Sequence, residues 1–329
     1  RLGRSRVHRD PRRRTRGVGA MKALRRLIVT AALTTLAVVA AVVPAIAAED
    51  LDGYLREAEQ AEYGGRRIVV TIWDGESRAE IFTVIHTGDT MTVNGGESIV
   101  GYGKLDGALG GGVVIPEWSS SVLSDRYTMK QPEAVRRLGR DAVRIVVQEG
   151  DLKRATIVLD AATSAPLATE VYDGAGDLFR YSTMLDFDAD PAPYLAGAGS
   201  DEEYEVMLPS AASSLPANAA GYRRADTYSG PSDSVHAFYT DGLFYFSIFE
   251  LPEGTRLGGL DDAVVVEVDG NEYRRLVAPD GIWVYWEAET AYLLVGDLPP
   301  DHLEQVLEEL PQPKGKGNFI SRLWRGIFG

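Results

Sequence analysis

Apolar and polar positions divide this chain into a short amphipathic helix, a long succession of strands, an irregular stretch, a second succession of strands and a closing helix. Leu51, Tyr54, Leu55 and Ala58 recur at i, i+3, i+4 and i+7, the spacing of one helix face, and Gly64-Gly65 ends the run. Strand patterns then follow over 66–73, 79–86, 90–93 and 98–102, punctuated by Asp74-Gly75 and Gly88-Asp89. A glycine-rich stretch from Gly107 to Gly112 leads to a short helical pattern at 117–124. Four more strands are predicted at 141–148, 153–159, 167–172 and 178–186, with turn chemistry at Asp160–Thr163 and Asp173–Gly176. One helix followed by an antiparallel meander describes a curved half-barrel rather than a βαβ fold.

Residues 188–215 are rich in Pro, Ala, Gly and acids and read as a linker. Further strands are predicted at 221–227, 235–240, 243–250, 264–268, 272–277, 282–287 and 291–297. A helix begins at Pro300 and carries the stripe Leu303, Val306, Leu307, Leu310. The densest signal lies at 236–254. There Asp241-Gly242 marks a hairpin, and the run after it is apolar on both faces, Leu243, Tyr245 and Phe249 on one, Phe244, Phe246 and Ile248 on the other. Such a strand must be covered on both sides. The fold class expected is α+β, mostly antiparallel β: an N-terminal half-barrel wrapped on a helix over 48–187, then a smaller C-terminal sheet domain with a closing helix over 216–311. On the curved sheet, Ile68, Val70, Ile72, Ile81, Thr83 and Ile85 alternate in a way that nominates them as the lining of an apolar lipid cavity.

The N-terminal region changes the charge picture. Residues 1–20 are Arg-rich; they read either as a nucleic-acid-binding arm or as an extension upstream of a start at Met21, and the signal that follows favours the second. Lys22, Arg25 and Arg26 precede an apolar run from Leu27 to Val43, and Pro44-Ala45-Ile46-Ala47 supplies small residues for cleavage between Ala47 and Ala48. Residues 21–47 are thus expected to be a signal peptide of the general secretory kind. The rival, a membrane anchor, wants about 20 apolar residues. The whole chain has 34 basic and 48 acidic residues; residues 1–47 hold 11 of the basic ones and one acid, which leaves 23 against 47, a net of −24, for the exported part. So acidic a chain argues against nucleic acid and for an extracytoplasmic protein. There is no cysteine, hence no disulfide and no thiolate metal site.

Motifs for chemistry are lacking. His86, His236 and His302 have no metal-ligand spacing, and the sequence contains no Gly-x-Ser-x-Gly elbow. The glycines at 107–112 lack the Lys-Ser/Thr of a phosphate loop, and Asp201-Glu202-Glu203 and Asp261-Asp262 lack the spacing of a calcium loop. No catalytic, cofactor or metal role is assigned, and the chain is not expected to be an enzyme. The tail over 312–329 is different. Lys314, Lys316, Arg322 and Arg325 carry four positive charges with no acid, and Phe319, Ile320, Leu323, Trp324, Ile327 and Phe328 form one broad stripe at helical spacing. That is the pattern of a peripheral membrane-contact segment, or of one that docks on a protein surface.

Several segments share the wording of a known family. Residues 239–248 are similar to its "Tyr-Ser-Asp-Gly-Leu then Ser-hydrophobic-Phe" segment, which makes Tyr239, Asp241 and Gly242 candidate partner-binding residues. Tyr63-Gly64-Gly65 before Val69-Val70-Thr71, the strand ending in Ile85-His86, and the meander Leu159-Asp160…Thr163…Pro166-Leu167…Glu170…Asp173…Gly176 resemble its N-terminal half. The family is the MucB/RseB group of extracytoplasmic sigma-factor regulators, and the resemblance covers most of 50–310. It implies a lipoprotein-carrier-like half-barrel, and a C-terminal domain that docks on the extracytoplasmic part of a membrane-bound anti-sigma factor and shields it from proteolysis until a lipid-type signal arrives. The alternative on the same scaffold is a lipid or lipoprotein carrier, or an envelope-maintenance protein, that uses the N-terminal cavity.

Overall fold

A computed structural model of the chain describes residues 50–314, apart from 88–89, 96–97, 104–122, 124, 193–207, 210–212, 230–233, 253–261 and 279–280. The signal-peptide assignment, the 117–124 helix, most of the linker and the tail beyond Lys314 lie outside the described residues. What is described is mostly antiparallel sheet with two helices, the class expected.

Helix α1 (Leu51–Glu59) is capped by Asp50, whose carboxylate accepts the Gly53 N–H at 2.8 Å, and it buries Leu51, Tyr54, Leu55 and Ala58. A ten-stranded sheet follows: β1 (Tyr63–Trp73), β2 (Glu76–Thr87), β3 (Thr90–Gly95), β4 (Ser98–Gly103), β5 (Tyr127–Met129), β6 (Glu133–Arg137), β7 (Arg140–Glu149), β8 (Leu152–Asp160), β9 (Pro166–Tyr172) and β10 (Leu178–Met184). Its order is β4-β3-β2-β1-β10-β9-β8-β7-β5, with β6 also on β7; among the described residues β4 and β5 do not pair, which leaves the sheet open there. The β1–β2 connection is a two-residue turn with φ of 49° at Asp74 and 75° at Gly75, the mirror-image turn that matches strand twist.

The second sheet has nine strands: β11 (Leu208–Pro209), β12 (Asn218–Ala219), β13 (Tyr222–Ser229), β14 (Val235–Thr240), β15 (Tyr245–Leu251), β16 (Val264–Val268), β17 (Asn271–Ala278), β18 (Gly281–Glu287) and β19 (Ala291–Gly296). They run β11-β13-β14-β15-β19-β18-β17-β16, with β12 on β13, and β15 lies mid-sheet as its two apolar faces require. Helix α2 (Pro300–Glu309) packs His302, Leu303, Val306 and Leu307 inward. Leu55, Ile145, Ile157 and Phe179 belong to the same apolar cluster as Phe244, Phe246, Trp286 and Leu307, so both sheets and both helices contribute to one continuous core.

Candidate functional site

Charged side chains of the first sheet meet those of α2 where that helix begins. The tight β7–β8 hairpin sets Glu149 beside Arg154, and the first turn of α2 brings Asp301 and His302 against them. The Arg154 guanidinium, almost fully buried, grips Asp301 with two hydrogen bonds of 3.1 and 2.8 Å and gives its Nε–H to Glu149 Oε2 at 2.7 Å. Arg126 donates to the other Glu149 oxygen at 2.8 Å. Two cations thus balance two carboxylates, the condition under which buried charge is tolerated. Asp301 also accepts the Gly174 N–H at 2.9 Å, and a Cβ on Gly174 would lie 2.8 Å from its other oxygen, so the approach needs glycine.

Protonation here follows from the contacts. Burial, then the charges of Arg154 and Arg126, lowers the His302 pKa, so its ring is neutral at pH 7. Glu149 only accepts, so His302 Nε2 carries the proton it shares at 3.0 Å, and Nδ1 accepts the Tyr222 O–H at 2.7 Å. Burial opposes ionisation of Glu149, but its hydrogen bonds to Arg126 and His302 outweigh it and hold the carboxyl down to about 2. With His302 neutral, the arginines are the cations responsible.

The candidate partner-binding residues sit deeper in the same junction. Asp241 begins a four-residue loop between Thr240 and Tyr245, rather than occupying a two-residue turn. One of its oxygens accepts the N–H groups of Leu243 and Phe244 at 3.0 and 2.9 Å; the other accepts the Tyr127 O–H from β5 at 2.5 Å. Burial raises the Asp241 pKa against these hydrogen bonds. Tyr239 donates to the Pro216 carbonyl at 2.6 Å, and Gly242 is buried with φ of 92°. All three work inside the fold and present no surface to a partner. Nearby Asp297, also buried, accepts the Tyr245 N–H at 3.2 Å; burial pushes its pKa up to about 7 against the pull of Arg180.

The six candidate cavity residues share one face of the curved sheet, as their alternation requires: Ile68 pairs with Ile81, and the rest follow in register. That face is opposite the one bearing α1. Ile145, Ile157, Thr169, Ser182 and Val69 form a cross-strand row on the helix-side face, and Ile68, Val70 and Ile72 point the other way. They and Thr83 are half-buried, Ile81 is 49% exposed, and Ile85 is buried. The inward positions of β1 instead hold Arg67, Val69 and Thr71. Arg67 donates to the Pro166 carbonyl at 2.8 Å and to the Met184 sulfur at 3.3 Å, which allows a charge to take an inward place.

An open groove of about 420 Å³ lies at the β16 edge of the second sheet, lined by Val265, Glu272, Tyr273, Arg274, Tyr285 and Glu287 among others, with Pro313 and Lys314 on its rim. β16 pairs with β17 and has no second strand among the described residues, and its Val265 is 63% exposed. Sequence reasoning flagged neither the groove nor Arg126, Glu149, Arg154 and Asp301, which are scattered over 175 positions of sequence without a linking pattern. The histidines remain apart: His86 bonds the Ala61 carbonyl, His236 Nε2 lies 2.8 Å from the Ser247 hydroxyl, and His302 belongs to the junction. Among the described residues no group of three or more His, Cys, Asp or Glu is placed to hold a metal, and no helix is long and apolar enough to cross a membrane.

These features define an α+β protein of two antiparallel sheets sharing one core and bridged by a charged junction. Similar solved structures include those of MucB. The crystal structure of MucB is 19% identical, with 78% of this chain and 94% of that chain covered and a TM-score of 0.47; the Pseudomonas aeruginosa MucA/MucB complex is 18% identical, with 80% and 98% covered and a TM-score of 0.44. MucB in complex with MucA(peri) is 19% identical, with 79% and 97% covered and a TM-score of 0.45. No protein-family description and no curated protein matches the sequence.

Proposed function

We propose that this chain is an exported, non-enzymatic regulator that captures the extracytoplasmic part of a membrane-bound anti-sigma factor and governs its proteolysis in envelope-stress signalling. The observation that carries the reading is the family-like segment 239–248: its Asp241 loop is where the second sheet is hydrogen-bonded to Tyr127 of the first. A regulator whose C-terminal domain, residues 216–311, holds the partner while the N-terminal domain, 48–187, receives a signal needs such a joint. The leader, cleaved between Ala47 and Ala48, places it outside the cytoplasm, and the basic apolar tail supplies peripheral contact with an anionic membrane surface. The test is affinity capture by the full mature chain from a membrane fraction, followed by mass spectrometry. Recovery of a single-span anti-sigma factor is expected, and its absence under conditions that preserve membrane complexes overturns the reading.

A second reading, a lipid or acyl-chain carrier, is favoured by the half-exposed strip of Ile68, Val70, Ile72 and Ile81 on one face of β1 and β2. Ile81→Glu is expected to abolish binding of a fluorescent fatty acid under this reading and to leave partner capture intact.

A further inference from the structure

We propose that the groove at the β16 edge is the docking site of the chain's own basic tail, residues 315–329. The inference does not depend on the anti-sigma reading; it concerns where the tail rests when no membrane is present.

The chain is delivered to this groove residue by residue. After α2, the Pro311 carbonyl accepts the Trp286 indole N–H at 2.7 Å, and the Gln312 side-chain oxygen accepts from Asn271 at 2.9 Å and from the Tyr273 hydroxyl at 3.2 Å. The Lys314 N–H then donates to the Glu287 carbonyl at 2.8 Å. Pro313 and Lys314 themselves line the groove, so the described chain ends there. A segment tethered there meets the groove at an effective concentration on the order of millimolar, which lets a weak contact form.

The chemistries match. The tail beyond Lys314 carries Lys316, Arg322 and Arg325 and no acid. Glu272 and Glu287 line the groove with Arg274 and Lys314, and Glu267 lies across the strand pair from Glu272, so acids outnumber cations on this face. The groove also offers apolar surface in Val265, Tyr285 and Trp286, and the tail has six large apolar residues whose burial is favourable. A cavity of about 420 Å³ accepts a few such side chains but not a whole domain. An edge strand that shows Val264 and Val265 to solvent is a liability unless something covers it, and a tail tethered at Lys314 is suited to do so.

The experiment is amide hydrogen exchange, read by mass spectrometry, on the mature chain and on the same chain ended after Lys314. Docking predicts that exchange over 264–274 rises about fivefold or more on truncation, because protection tracks the population of the covered state, while α1 is unchanged. Val265→Lys in the full chain is expected to give the same rise, and truncation of that variant to add nothing further, the signature of a shared contact. A tail-side variant, Leu323→Ser with Trp324→Ser, repeats the test without touching the folded core. Equal exchange with and without the tail overturns the proposal. So does protection of 264–274 that appears only when anionic vesicles are added, which would assign the tail to the membrane alone.

Discussion

The charged junction and the tip of the first hairpin both join the two sheets, and they are built on opposite principles. At the junction, Arg154 is sunk among Glu149 and Asp301, and every charge faces an opposite charge at hydrogen-bond distance. At the tip, Arg275 of β17, as buried as Arg154, reaches Asp74 at 2.7 Å and lies 4.3 Å above the Trp73 ring, but the Asp74 side chain is 66% exposed. The first contact is hard to enter from the unfolded chain and hard to leave. The second sinks only one charge and leaves its partner in water, which makes it the weaker of the two. Rigidity between the sheets is therefore expected to reside at the α2 end, and any relative movement at the hairpin end.

Substitutions separate the two contacts. Arg154→Ala strips Asp301 of its cation and leaves Glu149 with Arg126 alone, both carboxylates being partly buried, and a loss of about 3 kcal/mol in denaturant-unfolding free energy is expected. Should it cost no more than a surface change, the junction is not the rigid end. Next comes Tyr127→Phe, which removes one donor from a buried Asp241 and is expected to cost about 1–3 kcal/mol, read from the shift in urea midpoint at constant slope.

A smaller effect should appear with pH. His302 has its pKa lowered by folding, so the unfolded chain binds more protons as the pH drops below about 6.5, and stability contributed by the neutral ring is lost in that direction. Asp297, whose pKa burial raises to about 7, works in the opposite sense over the same range, so the reading is a difference: from pH 7.5 down to 5 the urea midpoint of the parent chain should fall relative to that of His302→Gln, and parallel curves would show that the junction does not sense the proton. The least effect is expected of Asp74→Asn, which keeps a residue tolerant of φ of 49° and an oxygen to accept from the buried Arg275, and removes only the exposed charge: about 1 kcal/mol by the same urea measurement. A larger loss there would mean that the hairpin tip holds the sheets as firmly as the cluster does.

Much of the architecture is legible in the chain because its turns are chemically explicit. Asp74-Gly75 and Asp269-Gly270 close two-residue turns, and Asp160 accepts the N–H groups of Ala162 and Thr163 as its setting foretells. β6 was not foreseen, because its turn is Leu138-Gly139, and a leucine at φ of 50° carries no turn signature. The faces of β1 were harder still. Arg67 and Thr71 look like solvent positions by polarity, yet both are buried, and the partners of the Arg67 side chain come from strands about 100 residues away. The junction was invisible for the same reason: Arg154 and Asp301 are 147 positions apart, and no local pattern declares a pair that only the packing of two sheets brings together.

The inverted parity of β1 bears on how the strand finds its alignment. A strand whose two faces differ sharply in polarity is aligned by that difference, since a slip of one residue exposes its whole apolar set. In β1 the penalty is blunted, because isoleucines lie outward while an arginine and a threonine lie inward. The ruler must then be local. The Asp74-Gly75 turn fixes Trp73 opposite Glu76 from one end. At the other, Gly65 lies so near the Asp186 carbonyl that a Cβ would come within 2.4 Å of it. Between these two stops the strand is measured by its ends rather than by its greasy side. Lengthening the turn by a single residue would thus do more than loosen a loop: it would release β1 into misaligned pairings that its composition does little to forbid.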